Sequence, residues 1–266
     1  MKGFPIKILG FFFLFLLVQC TTSSQNLKRY AFTAYGNEST PMIQYLDGFE
    51  KTTEVLEKFL KDHGVTHLEL YAFRNRLFLN LETKASFELN SFQEAFAHVD
   101  VWNKNDAKYL LPQQKSSLNG YWKLLERVYQ LDQSKEEKAV EGYEIRPMDQ
   151  KTKRIVEARQ LVKDQKEVKR YQSLHALGKA WPEITESLKS AGILQNEIYL
   201  LGNETFEFYE VSEDFDWAKS WEVAESNPKS EEWGKLVGPV DVPYKDDLGI
   251  PLENQIMTIV LSIGKE

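Results

Sequence analysis

The feature that most constrains the fold of this 266-residue chain is an internal repeat. When the sequence is displaced by 128 positions, nine identities fall without a gap within 28 positions. The matched pairs are Leu60/Leu188, Lys61/Lys189, Gly64/Gly192, Glu69/Glu197, Tyr71/Tyr199, Asn75/Asn203, Phe78/Phe206, Glu82/Glu210 and Phe87/Phe215. At nearby offsets Lys28-Arg29 matches Lys153-Arg154, and Asn103 and Tyr109 have the spacing of Asn227 and Trp233. We therefore expect two tandem copies of one structural unit, over residues 27–131 and 153–264, joined by a charged linker at 132–152.

Each repeat predicts the same order of elements. Alternating apolar residues predict a first strand, and an apolar i, i+3, i+4 face predicts a helix that ends at a glycine. Two strands joined by a tight turn, a second helix and a closing strand complete the unit. The predicted segments are 30–35, 53–63, 92–98 and 121–131 in the first repeat and 155–161, 181–191, 217–224 and 256–263 in the second, with turns at Arg74-Asn75 and Gly202-Asn203. This βαββαβ order is the ferredoxin-like arrangement of an α+β protein, and two tandem units can cover each other's open sheet face in a sandwich or barrel. We expect the protein to be a monomer whose two repeats are arranged like the two subunits of a dimer.

The N-terminus has the pattern of an export signal. Lys2 and Lys7 precede an apolar run that is too short to span a membrane, and Cys20 follows directly. Cys20 stands where a bacterial lipobox places its lipidated cysteine, although Gln19 replaces the usual small residue. We expect residues 1–20 to be a signal peptide, 21–26 to be a tether, and the protein to be periplasmic or in the cell envelope, held to the membrane by this lipid anchor alone. The alternative is a cleaved signal with an incidental thiol.

Composition excludes several classes of function. A net charge of −7 without long basic runs argues against nucleic-acid binding. A single cysteine cannot form an internal disulfide. The four histidines show no metal-ligand spacing, and His63, His67 and His98 are interpreted as structural or surface residues. We expect no metal and no nucleotide, since phosphate-binding glycine loops are also missing from the sequence.

The histidine that differs in its surroundings is His175. Tyr171 lies four residues earlier, on the same face if the segment is helical, and Trp181-Pro182-Glu183 follows at the start of the main helix. An imidazole can exchange protons near neutral pH, and aromatic faces suit the C–H groups of a sugar. The alternative is a histidine at a helix end with aromatic residues of the core around it.

The second repeat resembles the L-rhamnose mutarotase family over about 110 residues. The resemblance rests on Lys153-Arg154, Tyr171-x-x-x-His175, Trp181-Pro182-Glu183, Gly192, Glu197-Ile198-Tyr199, Gly202-Asn203, Asn227-Pro228-Lys229 and Glu232-Trp233. It implies a dimeric α+β barrel of ferredoxin-like units, here formed within one chain. It also implies exchange of the α and β anomers of a 6-deoxy hexose such as L-rhamnose or L-fucose, without a cofactor. By the family pattern His175 is the acid/base, Tyr171 orients the monosaccharide, and Trp233 and Trp181 contribute binding surface.

The sequence also departs from that pattern. The tryptophan that follows the first in better-known members is Gly234 here, and an aromatic sugar contact is Asn196. In the first repeat the histidine position is Phe49, Thr53-Glu54-Val55 replaces Trp-Pro-Glu, and Tyr109 replaces the tryptophan. Because Phe49 cannot transfer a proton, we expect at most one active site, in the second repeat.

Three functions remain open at this stage. The first is a lipid-anchored sugar mutarotase. The second is a non-catalytic carbohydrate-binding lipoprotein derived from a mutarotase, which Phe49, Asn196 and Gly234 favour. The third is another chemistry of dimeric α+β barrels, such as a monooxygenase-like or haem-handling lipoprotein.

Overall fold

The computed structural model describes residues 27–37, 45, 49, 53–115, 117–131, 143–145, 151–176, 178–245 and 255–264. The predicted signal and tether, with Cys20, and most of the predicted linker lie outside the described residues. No helix in the described ranges is both long and apolar enough to cross a membrane.

The N-terminal half, residues 27–131, contains three described helices and five strands. In chain order they are β1 (Leu27–Tyr35), α1 (Thr53–Asp62), β2 (Val65–Phe73), β3 (Arg76–Lys84), α2 (Leu89–Phe96), α3 (Asp100–Tyr109), β4 (Lys123–Leu124) and β5 (Glu126–Gln130). In the C-terminal half, residues 151–264, the described elements follow the same order and include a helix near the start; the matching stretch of the N-terminal half, residues 38–52, lies outside the described residues apart from Tyr45 and Phe49. The elements of the C-terminal half are β7 (Thr152–Leu161), α4 (Gln165–His175), α5 (Pro182–Ser190), β8 (Ile193–Leu201), β9 (Glu204–Ser212), α6 (Trp217–Glu225), α7 (Pro228–Val237), a 3-10 turn (Gly238–Val240), β10 (Asp241–Val242) and β11 (Thr258–Gly264). Within the predicted linker, β6 (Tyr143–Ile145) pairs with β1.

Local sequence signals fix most of these boundaries. Gly64 and Gly192 follow α1 and α5 with φ of +79° and +85°, a conformation that only glycine adopts cheaply. The single second helix predicted for each repeat is two helices in the structure. In the C-terminal half the division follows from Asn227, whose side chain accepts a hydrogen bond from the Lys229 amide at 2.9 Å, and from Pro228 at the first helical position.

The strands form two antiparallel sheets. Sheet one has the order β11-β2-β3-β1-β4, and sheet two has the order β10-β7-β9-β8-β5. The sequence predicts a closing strand for each half; in the structure each closing segment leaves its own half and pairs with the other sheet. Residues 123–130 pair first with β1 in sheet one and then with β8 in sheet two. Residues 256–264 first form a bridge to Glu157 of β7 in sheet two and then pair with β2 in sheet one. The two halves are therefore joined by backbone hydrogen bonds as well as by side chains.

Between the sheets lies a buried ion cluster with a near-twofold arrangement. Arg29 contacts Glu82 at 2.6 Å and Glu197 and Glu210 at 3.1 Å. Arg154 contacts Glu82 at 2.8 Å, Glu69 at 3.1 Å and Glu210 at 3.2 Å. All six residues come from the matched pairs of the sequence repeat. Buried pairs of this kind contribute little net stability but are costly to break singly, so they fix how the sheets face each other.

The other face of each sheet carries the helices. In sheet one, Phe32, Ala34, Leu79 and Leu81 face α1 and α2 in one continuous hydrophobic core. In sheet two the corresponding core is smaller, and it borders a cavity.

Candidate functional site

A cavity of about 450 Å³ lies in the C-terminal half between sheet two and the helices α4 to α7. Of the four site residues predicted from the sequence, Tyr171, His175 and Trp233 line it. Trp181 lies just outside, with its ring 5.4 Å from that of Trp233. Tyr129 on β5 reaches the cavity from the N-terminal half because the closing segment crosses to sheet two.

Helix α4 positions the histidine and the tyrosine. The helix begins at Asp164, whose side chain accepts a hydrogen bond from the Lys166 amide at 2.9 Å. Tyr171 and His175 then lie on its buried face, with ring centroids 4.1 Å apart.

The tautomer of His175 follows from its hydrogen bond. Its Nδ1 lies 3.0 Å from the backbone carbonyl oxygen of Tyr171. Because a carbonyl oxygen only accepts, Nδ1 carries the proton, and Nε2 of the neutral ring keeps its lone pair. Burial lowers the pKa of His175, and the bond to Tyr171 opposes this only in part. The ring is therefore neutral at neutral pH and can act as a base through Nε2.

Aromatic side chains surround this imidazole. The Trp233 ring meets it nearly edge-on at 5.3 Å, and the Tyr129 ring does so at 5.9 Å. Lys229 Nζ lies 5.6 Å from the Trp181 ring and is paired with Glu232 at 2.6 Å. The aromatic side of the cavity thus offers flat apolar surface close to a base.

A second part of the cavity lining is charged, and the sequence analysis did not identify it. Arg159 Nη1 contacts Asp241 at 3.0 Å, Nη2 contacts Glu157 at 3.0 Å, and Nε lies 3.6 Å from Glu207. The Tyr209 hydroxyl donates a hydrogen bond to Glu207. Burial raises the pKa of both Glu157 and Asp241, while Glu207 and then the other carboxylates raise that of Arg159. This group of Glu157, Arg159, Glu207 and Asp241 is called the acidic wall below.

A signal for the acidic wall was present in the repeat. Phe32 pairs with Leu79 in sheet one at the position where Glu157 pairs with Glu207 in sheet two. At the next helix-facing positions Ala34 corresponds to Arg159, and Leu81 to Tyr209. Charged residues therefore stand in sheet two at positions where sheet one has apolar core residues.

The two departures from the family pattern also line the cavity. Asn196 is buried, and its Nδ2 lies 3.4 Å from the carbonyl oxygen of Phe208. A Cβ built on Gly234 would meet no atom within 4 Å, so the missing tryptophan leaves open space. The cavity is thus wider than an aromatic residue at position 234 would allow.

In the N-terminal half the corresponding place is filled. Phe49 packs edge-on against Trp102 at 4.7 Å and against Tyr45 at 5.2 Å, and Trp102 is completely buried. Tyr45 donates a hydrogen bond to Asp106 at 2.7 Å, and Trp122 Nε1 donates to the same carboxylate at 2.8 Å. Burial raises the pKa of Asp106 to about 6. No equivalent of His175 or of its cavity is formed by these residues.

The remaining histidines lie away from the cavity. His63 Nδ1 contacts the carbonyl oxygen of Phe59 at 2.8 Å, His67 contacts Glu69 at 3.1 Å, and His98 is exposed. Within the described ranges, no three His, Cys, Asp or Glu side chains are placed to hold a metal ion.

Comparison with known proteins gives three kinds of match. A family model described as L-rhamnose mutarotase matches residues 154–249. A UPF0734 protein of Dictyostelium discoideum is 34% identical over 105 residues, which cover 39% of this chain and 79% of that protein.

Among solved structures, a proposed monooxygenase from Lactobacillus acidophilus has a TM-score of 0.45 at 9% identity and covers 90% of this chain and 96% of its own. An anthrone oxidase-like protein has a TM-score of 0.43 at 12% identity, covering 90% and 93%. At these TM-scores we draw no conclusion from either structure.

The fold and the cavity define an α+β protein of two facing antiparallel sheets, with outer helices that enclose a cavity in one half. The sequence matches then identify the family. Through residues 154–249 the chain belongs to the L-rhamnose mutarotase family, and this segment supplies every described residue of the cavity lining except Tyr129.

Proposed function

We propose that the protein is a sugar mutarotase that interconverts the α and β anomers of a 6-deoxy hexose such as L-rhamnose or L-fucose. The observation that carries the proposal is His175. In the half that matches the family, it lines a cavity with its Nδ1 proton committed to the Tyr171 carbonyl and a basic Nε2 remaining.

The chemistry requires one positioned acid/base. His175 Nε2 removes the proton of the anomeric hydroxyl while the bond from C1 to the ring oxygen breaks, its electron pair passes to that oxygen, and a carbonyl forms at C1. The ring oxygen takes the proton that His175 Nε2 has just gained, which returns the imidazole to its neutral form. The aldehyde then turns about the C1–C2 bond, and the reverse steps close the ring on the other face of C1. Such proton transfer contributes roughly 10²–10⁴-fold in rate.

The aromatic side of the cavity supports sugar binding. Trp233 and Tyr171 would stack against C–H groups of the pyranose, and the Tyr171 hydroxyl would orient a sugar hydroxyl. Burial and then Glu207 raise the pKa of Tyr171, so the phenol is protonated and can donate.

We also propose that the chain is a tandem pair of ferredoxin-like units that forms a dimeric α+β barrel within one monomer. The matched element order, the exchanged closing strands and the near-twofold ion cluster support this. The N-terminal lipid anchor and a location in the cell envelope remain proposals that rest on residues 1–26 alone.

Anomer exchange measured by saturation-transfer proton NMR tests the mutarotase. L-rhamnose, L-fucose and neutral hexoses are compared with purified wild-type protein and with His175→Gln. Faster exchange on one sugar that falls toward the spontaneous rate in His175→Gln supports the proposal. An unaltered rate in a folded His175→Gln variant would contradict it. His98→Gln, at an exposed histidine, is the matched control and should keep the wild-type rate.

A second function is favoured by the open space at Gly234 and by Asn196, which together reduce the stacking surface. It is a non-catalytic carbohydrate-binding protein with the same cavity. Sugar-dependent chemical shift changes without any acceleration of exchange would establish this function in place of the first.

A further inference from the structure

The acidic wall is the feature of the cavity that the proposed chemistry does not use. It brings three carboxylates and one guanidinium together on the helix-facing side of sheet two. Among the described residues that line the cavity, Arg159 is the single Lys or Arg, whereas Glu207, Glu225 and Asp241 are acidic. With Glu157 behind Arg159, the wall carries a formal charge of −2.

The fold does not require these charges. At the matching positions of sheet one, Phe32, Ala34 and Leu79 pack into the hydrophobic core. Charge beneath helices is costly unless it is compensated, and one guanidinium compensates only one of three carboxylates. Uncompensated charge beside a cavity is typical of a site that is completed by its ligand.

The contacts identify where such a ligand would bind. Asp241 Oδ2 is bonded to Arg159 at 3.0 Å, and the Asp241 side chain is 31% exposed, against 10% for Glu207 and 11% for Glu157. Glu207 already accepts a hydrogen bond from Tyr209 and faces Arg159. Asp241, which lines the cavity, is therefore the most accessible carboxylate of this wall, and a cationic donor bound there would also reduce the excess negative charge.

We propose that the cavity selects a sugar that carries an ammonium group, an aminodeoxy hexose, with the ammonium bound at Asp241, and that it rejects uronic acids. This rests on the proposed function for the presence of a sugar in the cavity. Arg159 keeps the carboxylates in place, Trp233 and Tyr171 hold the pyranose, and His175 acts at the anomeric carbon. The negative charges of Glu157, Glu207 and Asp241 favour a cationic sugar over a neutral one and a neutral sugar over an anionic one.

Matched sugar pairs test the proposal in the wild-type protein. L-fucosamine differs from L-fucose, and L-rhamnosamine from L-rhamnose, only by an ammonium group in place of the 2-hydroxyl at slightly acidic pH. Galactosamine, galactose and galacturonate form a second series that includes an anion. Dissociation constants come from tryptophan fluorescence or NMR titration at low and high salt.

We expect an amino sugar to bind roughly tenfold or more tightly than its neutral parent, and galacturonate to bind more weakly than galactose. The preference should shrink at high salt because it is electrostatic. Asp241→Asn should remove most of the preference while neutral sugars still bind. Glu222→Gln removes one exposed charge of α6 outside the cavity and should leave the preference unchanged.

Equal binding within each pair, or tighter binding of the uronate, would overturn the proposal. If Asp241→Asn does not fold, Glu207→Gln removes a second charge of the same wall and must also reduce the preference. An amino sugar that binds selectively but exchanges its anomers no faster would refute the mutarotase and leave the charge selection standing. Fast anomer exchange of neutral sugars, without tighter binding of the amino sugars, would support the mutarotase and refute the charge selection.

Discussion

The helix-facing sides of the two sheets show how one architecture can serve either packing or binding. In sheet one, aromatic and aliphatic residues fill the space beneath the helices, and Trp102 and Phe49 occupy its centre. In sheet two, the same strand positions carry Glu157, Arg159 and Glu207 and border a cavity that contains His175. The long strands pair in the same register in both halves, so the difference lies in the side chains that they carry.

The largest expected effect comes from exchanging the residues that distinguish the two sides. Leu79→Glu would place a carboxylate without a partner in the apolar core, and we expect the free energy of unfolding to fall by roughly 5 kcal/mol. Glu207→Leu should cost less, roughly 2 kcal/mol, because Arg159 keeps Glu157 and Asp241 while the buried Tyr209 hydroxyl loses its acceptor. Urea unfolding of both variants measures this, and similar losses would show that the acidic wall is as structural as the core it replaces.

Removing one tryptophan from each half compares the stability cost of a lost side chain in the filled core with the cost at the cavity. Trp102→Ala should cost roughly 4 kcal/mol because the completely buried ring leaves a cavity. Trp233→Ala should cost roughly half of that, since the ring already borders open space, but it should weaken sugar binding. Denaturant midpoints together with a sugar titration separate the two outcomes. Equal stability losses would contradict the distinction between the halves.

Asp106 makes the filled half sensitive to pH. Its pKa is about 6 in the folded protein and about 3.9 in an unfolded chain. The folded state therefore binds this proton more tightly, so the stabilising contribution is fully present below about pH 4 and is lost as the pH rises through 6. The loss amounts to roughly 3 kcal/mol.

Unfolding at several pH values measures this contribution as the difference between wild type and Asp106→Asn. Asp100→Asn, at an exposed residue of the same helix, should show no such difference. A constant difference between pH 4 and 7 for Asp106→Asn would refute the assignment.

The smallest expected effect is on the pH dependence of anomer exchange, whose decline on the acidic side should be displaced to lower pH. Burial lowers the pKa of His175, so the neutral base persists below pH 6.5 and exchange should decline only under more acidic conditions. The exchange rate, corrected for the spontaneous reaction at each pH, gives the inflection. An inflection above 6.5 would mean that a nearby carboxylate, not burial, dominates the environment of the ring.

Much of the fold could be predicted because its signals are local. Alternation located the long strands, apolar faces located α1, α5 and α6, and Gly64 and Gly192 marked where α1 and α5 end. The exchange of closing strands could not be read from the sequence, since residues 123–130 would suit either sheet edge and only the complete arrangement decides between them.

The candidate site divides in the same way. His175, Tyr171 and Trp233 lie in short motifs and were found, whereas Arg159 and Glu207 are single residues in strands 48 positions apart. Only the comparison with Ala34 and Leu79 distinguishes them from ordinary charged residues of an exposed face. Asp241 follows a 3-10 turn, and its pairing with Arg159 depends on where that turn places it.

The central claim is that one half contains the working cavity and the other a filled core, and the six tryptophans report on both. The indole N–H signals of ¹⁵N-labelled protein, assigned with Trp→Phe variants, can be followed during titration with L-rhamnose, L-fucose and their amino analogues. The account predicts that Trp233 and its neighbour Trp181 shift with saturation, while Trp102 and Trp122 stay unchanged. Saturable shifts of Trp102 or Trp122, or an unshifted Trp233 in the presence of accelerated exchange, would contradict it.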